Sequence, residues 1–264
     1  MGASHRAFYL VKTSFLGHNY HGWQKQPYLR TLHDVINKTI KYVLDDGVVF
    51  KILGASRTDA QVSAQDSAFE LFLSEPLSDE RCFLDDLNRN LPQDIRCTSI
   101  SPVSKDFNII QDSTSKSYRY YFAFGEKSHP FSAPLITTFL GPLDLKLMKQ
   151  GAKLFQGTHC FRSYCYKPKP DSQYTRTITH CKIETNQRLK ANFFPEKTYV
   201  FEVEGKGFLR HQVRLMMGAL VRLGKGERTL EDIKMSLFDD YPYNETFVVP
   251  ATGLVLESTE FKTL

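Results

Sequence analysis

Val48-Val49-Phe50-Lys51-Ile52-Leu53 reads as a strand, and it runs straight into Gly54-Ala55-Ser56-Arg57-Thr58-Asp59-Ala60-Gln61, a polar loop led by small residues. Ala68-Phe69-Glu70-Leu71-Phe72-Leu73 follows as another strand. No helical pattern separates these strands, so strict βαβ alternation fails here. Upstream, Thr31 caps a helix whose apolar face is Leu32, Val35, Ile36, Ile40, Val43 and Leu44. Before it stand a turn-rich loop, Gly17 to Pro27, holding the only tryptophan, Trp23, and an alternating strand from Arg6 to Leu16. Downstream, Ser78 opens a helix to about Asn88, and strands follow at Asp94 to Val103 and Tyr118 to Phe124.

Ser128-His129-Pro130-Phe131-Ser132-Ala133-Pro134 breaks the pattern, predicting halves at 1–127 and 128–264. The second half repeats the theme. A helix starts at Asp144, strands lie near Thr177 to Thr185 and Thr198 to Val203, and a long helix runs from Phe208 to Leu223. Thr229 opens a short helix, and Gly253 to Ser258 is an edge-type strand. Strand runs interrupted by single helices predict an α+β fold with mostly antiparallel sheet.

Hydrophobic residues make 41% of the chain and charged residues 24%, with 20 Phe and 13 Tyr, enough for a packed core and unlike a disordered tail. The longest apolar runs fall short of a membrane span, and Met1 to Arg6 lead directly into strand residues instead of a secretory signal. Five scattered cysteines, Cys82, Cys97, Cys160, Cys165 and Cys181, argue against a disulfide scaffold and for a reducing cytoplasm. The net charge of +5 is unevenly spread. Lys153 to Lys190 carries a local +6 and Lys206 to Arg228 a local +5, leaving −6 for the remainder. The first of these stretches interleaves Phe155, Phe161, Tyr164, Tyr166 and Tyr174 with its cations, a mixture suited to RNA, where cations track phosphates and rings stack on bases.

Three stretches could carry chemistry. Arg57-Thr58-Asp59 puts a carboxylate on a loop at a sheet edge, where a surface ion pair is the ordinary alternative. On the long helix, Leu209, Val213, Met216, Met217 and Leu220 form one apolar stripe, with Arg210 and Arg214 at its edge and Arg222 on the far side. A boundary arginine reaches a carboxylate or merely snorkels. In Ser117-Tyr118-Arg119-Tyr120-Tyr121-Phe122, alternation sets Tyr118 and Tyr120 on one face. His159, Cys160, Cys165, His180 and Cys181 lack zinc-site spacing, so no metal is expected, and P-loop, dinucleotide and nucleophile-elbow motifs are missing.

In their order, these segments resemble the TruA family of tRNA pseudouridine synthases over nearly the whole chain. The resemblance lies in Tyr20-His21-Gly22-Trp23-Gln24, Ser56-Arg57-Thr58-Asp59-Ala60-Gln61-Val62-Ser63-Ala64 and Lys116-Ser117-Tyr118-Arg119-Tyr120. It continues in Gly157-Thr158-His159-Cys160-Phe161-Arg162-Ser163, Arg176-Thr177-Ile178, Gly207-Phe208-Leu209-Arg210-His211-Gln212-Val213-Arg214 and Ala251-Thr252-Gly253-Leu254. The resemblance implies two similar α+β halves, a mixed, mostly antiparallel sheet across both, helices on one side and a central RNA-binding cleft. It further implies isomerisation of anticodon stem-loop uridines of tRNA by a homodimer, without cofactor, metal, membrane or DNA.

By the same resemblance, Asp59 is the catalytic aspartate, Tyr118 the tyrosine on the target base that takes its C5 proton, and Arg214 the arginine paired with the aspartate. Arg57 takes the flipped base's place in the stack, and Leu254 is the apolar wall beneath it. Arg162, Arg210 and His211 are further candidate substrate contacts. The family's loop pattern is Gly-Arg-Thr-Asp-x-Gly-Val-His-Ala; here Ser56 and Gln61 stand for the glycines and Ser63 for the histidine. Those departures keep a tRNA-binding or folding-assistance protein without turnover as the alternative. The long basic surface disfavours a hydrolase of small nucleosides.

Overall fold

The computed structural model describes residues 6–239, 241 and 244–262. The chain is α+β and its sheet is mostly antiparallel, as the strand pattern predicts. It divides into two compact units, one of Met1–Thr114 with Leu256–Leu264 and the other of Ser115–Val255.

The first unit contains β1 (Ala7–Phe15), α1 (Leu32–Val43), β2 (Phe50–Gly54), β3 (Ser63–Leu73), α2 (Glu80–Asn90), β4 (Ile95–Pro102) and the start of β5 (Ser113–Gly125). β1 pairs antiparallel with both β3 and β4, and β2 pairs antiparallel with the Phe69–Leu73 end of β3. Both helices begin where a side chain satisfies a backbone donor. Thr31 Oγ1 accepts from Asp34 N, and Asp79 Oδ1 accepts from Cys82 N, one residue beyond the predicted start at Ser78. Leu32, Ile36 and Ile40 of α1 are fully buried, each contributing about 1.5–3 kcal/mol of burial.

Ser67 to Leu71 of β3 are all buried, so this strand is covered on both faces. A cluster of Leu10, Ala55, Ala68 and Ile109, joined by Leu53, Val103, Phe107 and Phe261, covers one of them. Glu70 is caught in this layer, 1% exposed, with Oε2 accepting from Ile109 N at 3.3 Å. Burial pushes its carboxyl above the ordinary glutamate range, more than the Ile109 N–H lowers it. The folded chain therefore holds this proton more tightly than the unfolded chain. The group's stabilisation is complete below the unfolded pKa and is lost as pH rises through the folded one. Glu70→Gln is expected to flatten that decline, read as urea midpoints between about pH 4 and pH 8. Parallel pH profiles for variant and parent would refute it.

The second unit contains most of β5, then β6 (Thr137–Leu140), α3 (Leu145–Leu154), β7 (Gly157–Cys160), β8 (Thr175–Thr185), β9 (Tyr199–Gly205), α4 (Gln212–Gly224) and α5 (Leu230–Met235). β10 (Leu254–Phe261) starts in this unit and passes into the first. β5, β9, β8 and β7 pair antiparallel in that order, while β6 lies parallel to β5 and makes the sheet mixed. β6 and β7 have four residues each, too few for alternation to announce them in the sequence.

The long helix departs from its predicted form. It starts at Gln212, not Phe208, because His211 sits in the left-handed region at φ +59 and Gln212 Oε1 accepts from Leu209 N at 2.8 Å. Only Arg214 and Arg222 of its residues escape burial, so α4 is a central helix without the single apolar stripe expected. Leu209 and Arg210 precede it.

Residues 245–249 run back along α4 as a strap. Arg214 Nε donates to Val249 O at 2.9 Å, a Cβ on Gly218 would lie 1.9 Å from Phe247 O, and Arg222 Nη1 lies 3.2 Å from Glu245 Oε1. Four helical residues advance about 6 Å and two strap residues span at most about 7 Å, so the grips stay in step. The Glu245 side chain is wholly buried, and its carboxylate is met by Arg222 and by Phe247 N, satisfying a charge that would otherwise be costly there.

Candidate active site

Asp59 stands in the loop between β2 and β3, in the first unit, and that loop is fastened by backbone hydrogen bonds. Thr58 O accepts from Trp23 N at 3.1 Å, Gln61 N donates to Tyr20 O at 3.0 Å, and Val62 N donates to Asp59 O at 3.2 Å. Gly17 N donates to Ser63 Oγ at 2.9 Å, which gives the serine at the family's histidine position a structural partner. The brace comes from Tyr20-His21-Gly22-Trp23, whose presence in the sequence has this physical reason. Gly22 has φ +85, and a Cβ there would lie 2.6 Å from Thr58 O, so only glycine lets the loops approach.

The brace is itself anchored. Trp23 is buried beneath Gly54, where a Cβ would meet the indole at 2.3 Å. Leu32 N and His33 N at the start of α1 donate to Gly22 O and Trp23 O. Tyr20 OH donates to Asp94 Oδ1 at 2.5 Å and accepts from Arg30 Nη2 at 3.2 Å. Burial, then the bond to Asp94, pushes its phenol up to about 12. On this base Arg57 is exposed, Thr58 buried and Asp59 half-buried.

Gln61 adopts φ +66, the left-handed conformation that a glycine would take without strain. Its side chain is exposed. Relief of about 1–2 kcal/mol of backbone strain outweighs the added chain entropy of glycine, about 0.5–1 kcal/mol. Gln61→Gly is therefore expected to stabilise by about 0.5–1 kcal/mol and raise Tm by about 2 °C. A lower Tm would mean that the glutamine side chain holds the loop.

The other candidates lie in the second unit. Tyr118 is half-buried on β5, opposite Val203, its ring meeting Phe208 edge-on at 5.1 Å. Arg214 is half-buried on α4, its guanidinium aimed by the bond to Val249 O. Leu254 is buried at the start of β10. The approach to Leu254 is pinned by residues to which the sequence assigned no role. Tyr120 OH donates to Pro250 O at 2.8 Å, and Tyr121 N donates to Gly253 O at 2.8 Å. A Cβ on Gly253 would lie 2.6 Å from Tyr121 O, so this glycine permits the close approach. Arg119, on the neighbouring position, pairs with Glu202 at 3.1 Å across the strands and is structural. Arg162 is exposed on a short 3-10 turn, Arg162–Tyr164, whereas Arg210 and His211 both lie against Tyr166.

All five cysteines are free, and burial pushes the thiol of Cys97 up to about 12 and that of Cys181 higher still, so neither is a thiolate nucleophile.

A family model described as tRNA pseudouridine synthase matches residues 152–262. A protein of Desulfotalea psychrophila, tRNA pseudouridine synthase A 2, is 32% identical over 87% of this chain and 89% of its own length. The chain belongs to the tRNA pseudouridine synthase A family. The tRNA pseudouridine synthase A of Staphylococcus aureus is 31% identical over 94% of this chain and 89% of its own. That of Streptococcus gordonii is 30% identical over 96% and 98%. The matches to these tRNA pseudouridine synthases take in both the Asp59 loop and α4.

Proposed function

We propose that the protein isomerises uridine to pseudouridine in the anticodon stem-loop of tRNA, acting in the cytoplasm as a homodimer. The observation that carries the reading is the braced loop, which holds the Asp59 carboxylate half-exposed on a backbone fixed from both ends. Such pre-organisation suits a carboxylate that must meet a reacting atom in one geometry. The reaction breaks the N1–C1′ bond of uridine and forms C5–C1′, with the C5 proton lost and N1 protonated. A carboxylate serves it as nucleophile or base, without a redox step.

We assign Asp59 that carboxylate role, Tyr118 the removal of the C5 proton and Arg214 the cation of the reaction. Arg57, exposed beside Asp59, fills the stack that the flipped base leaves, a vacancy worth a few kcal/mol. Leu254 supplies an apolar wall, and Arg162, Arg210 and His211 contact the RNA. The two basic stretches, together +11, support a polyanionic substrate.

The test is release of tritium from tRNA transcripts labelled at uridine C5, repeated with each anticodon-arm uridine changed to cytidine. Release that disappears with one of those changes supports the reading. Binding without release from any transcript would leave a tRNA-binding protein that has lost turnover.

A further inference from the structure

We propose that Tyr166, Lys167 and Arg210 form a clamp for one backbone phosphodiester of the RNA, a site distinct from the residues assigned to the reaction. The inference rests on the tRNA reading above.

Among the described residues four that are not glycine take a left-handed φ, and two of them, Lys167 at +52 and His211 at +59, flank a single ring. Each costs about 1–2 kcal/mol, and such strain persists where surrounding contacts enforce it, commonly at binding sites. The enforcing contacts centre on Tyr166. Its N–H donates to Arg210 O at 3.0 Å, tying the turn after Arg162 to the segment that leads into α4. His211 stacks on its ring at 4.6 Å and 28°. The Arg210 guanidinium lies 4.9 Å from the ring centroid and the Lys167 ammonium 5.4 Å.

One ring thus gathers two cations. Arg210 and Lys167 are exposed, and neither forms an ion pair among the described residues. The acidic residue of the following loop, Asp171, is exposed and unpaired with either. By contrast Lys12, Lys25, Lys38, Arg89 and Arg222 each have a carboxylate partner. A guanidinium held against an aromatic face keeps its N–H edge free for bidentate contact with phosphate, and an ammonium beside it adds a point charge. The ring already holds three partners, so its ligand is a phosphate and not a stacked base.

The experiment measures tRNA affinity against salt concentration for the parent, Lys167→Asn, Tyr166→Leu and Tyr166→Phe. Asparagine accepts the left-handed conformation, so Lys167→Asn removes the charge without disturbing the turn. We expect Lys167→Asn and Tyr166→Leu each to weaken binding about fivefold at low salt and to reduce the salt slope by about 0.7–0.9, one phosphate contact. Tyr166→Phe retains the ring and keeps the parent slope. In turnover the loss sits in KM. Parent slopes in both Lys167→Asn and Tyr166→Leu would overturn the clamp, whatever the parent's tritium release. A parent that binds tRNA but releases no tritium would overturn the catalytic reading instead, with the slopes still deciding the clamp.

Discussion

Asp59→Asn is expected to abolish tritium release from C5-labelled tRNA, lowering turnover about a thousandfold or more, while the protein remains folded. Asparagine matches aspartate in shape but offers neither a nucleophilic oxygen nor a base. The loop survives the change because its anchors are main-chain atoms of Thr58, Gln61 and Val62 together with the Ser63 hydroxyl. The measurement pairs tritium release with thermal unfolding, so that a collapsed loop is distinguished from lost chemistry. An Asp59→Asn protein with release within about tenfold of the parent would mean that another group does the chemistry.

Gly218→Val is the second large effect, expected to destabilise the protein by about 3 kcal/mol and to lower Tm by about 6–12 °C. A Cβ at this position would lie 1.9 Å from Phe247 O, so helix and strap must part. The strap's neighbouring grips, Arg214 on Val249 and Arg222 on Glu245, would then be strained as well. Turnover should fall further than stability alone explains, because the Val249 carbonyl that aims Arg214 moves with the strap. Gly207→Ala is the control. That glycine has no neighbour within 4 Å of a built Cβ, and Ala there should alter stability by less than about 0.5 kcal/mol. Equal Tm values for Gly218→Val and Gly207→Ala would show that the strap yields freely.

Much of the fold is legible in the sequence because it is set locally. The cap at Thr31 and the cap at Asp144 each need only one short polar side chain within a turn of its donor. The alternation of β1 follows from the pleat, β3 and β5 are marked by short runs of bulky residues, and the Asp59 loop follows from a strand that ends in small residues before a charge. The brace was legible only as a motif, Tyr20-His21-Gly22-Trp23. Its function emerges from Gly22 and Trp23 meeting Thr58, some thirty-five residues away in the chain.

The rest depends on contacts between residues distant in sequence. An apolar pattern continuous through Phe208 cannot reveal that His211 turns left-handed, since that conformation is held by Tyr166 stacked upon it. Nor can periodicity tell an amphipathic helix from one buried at all but two of its residues, as α4 is with residues 245–249 lying along it. The amino-acid order alone thus determined the α+β class, the helix caps at Thr31 and Asp144 and the candidacy of Asp59, all products of neighbouring residues. Tertiary packing decided where α4 begins, how Arg214 is aimed and which ring collects Lys167 and Arg210, because each is enforced by groups the chain brings together only on folding.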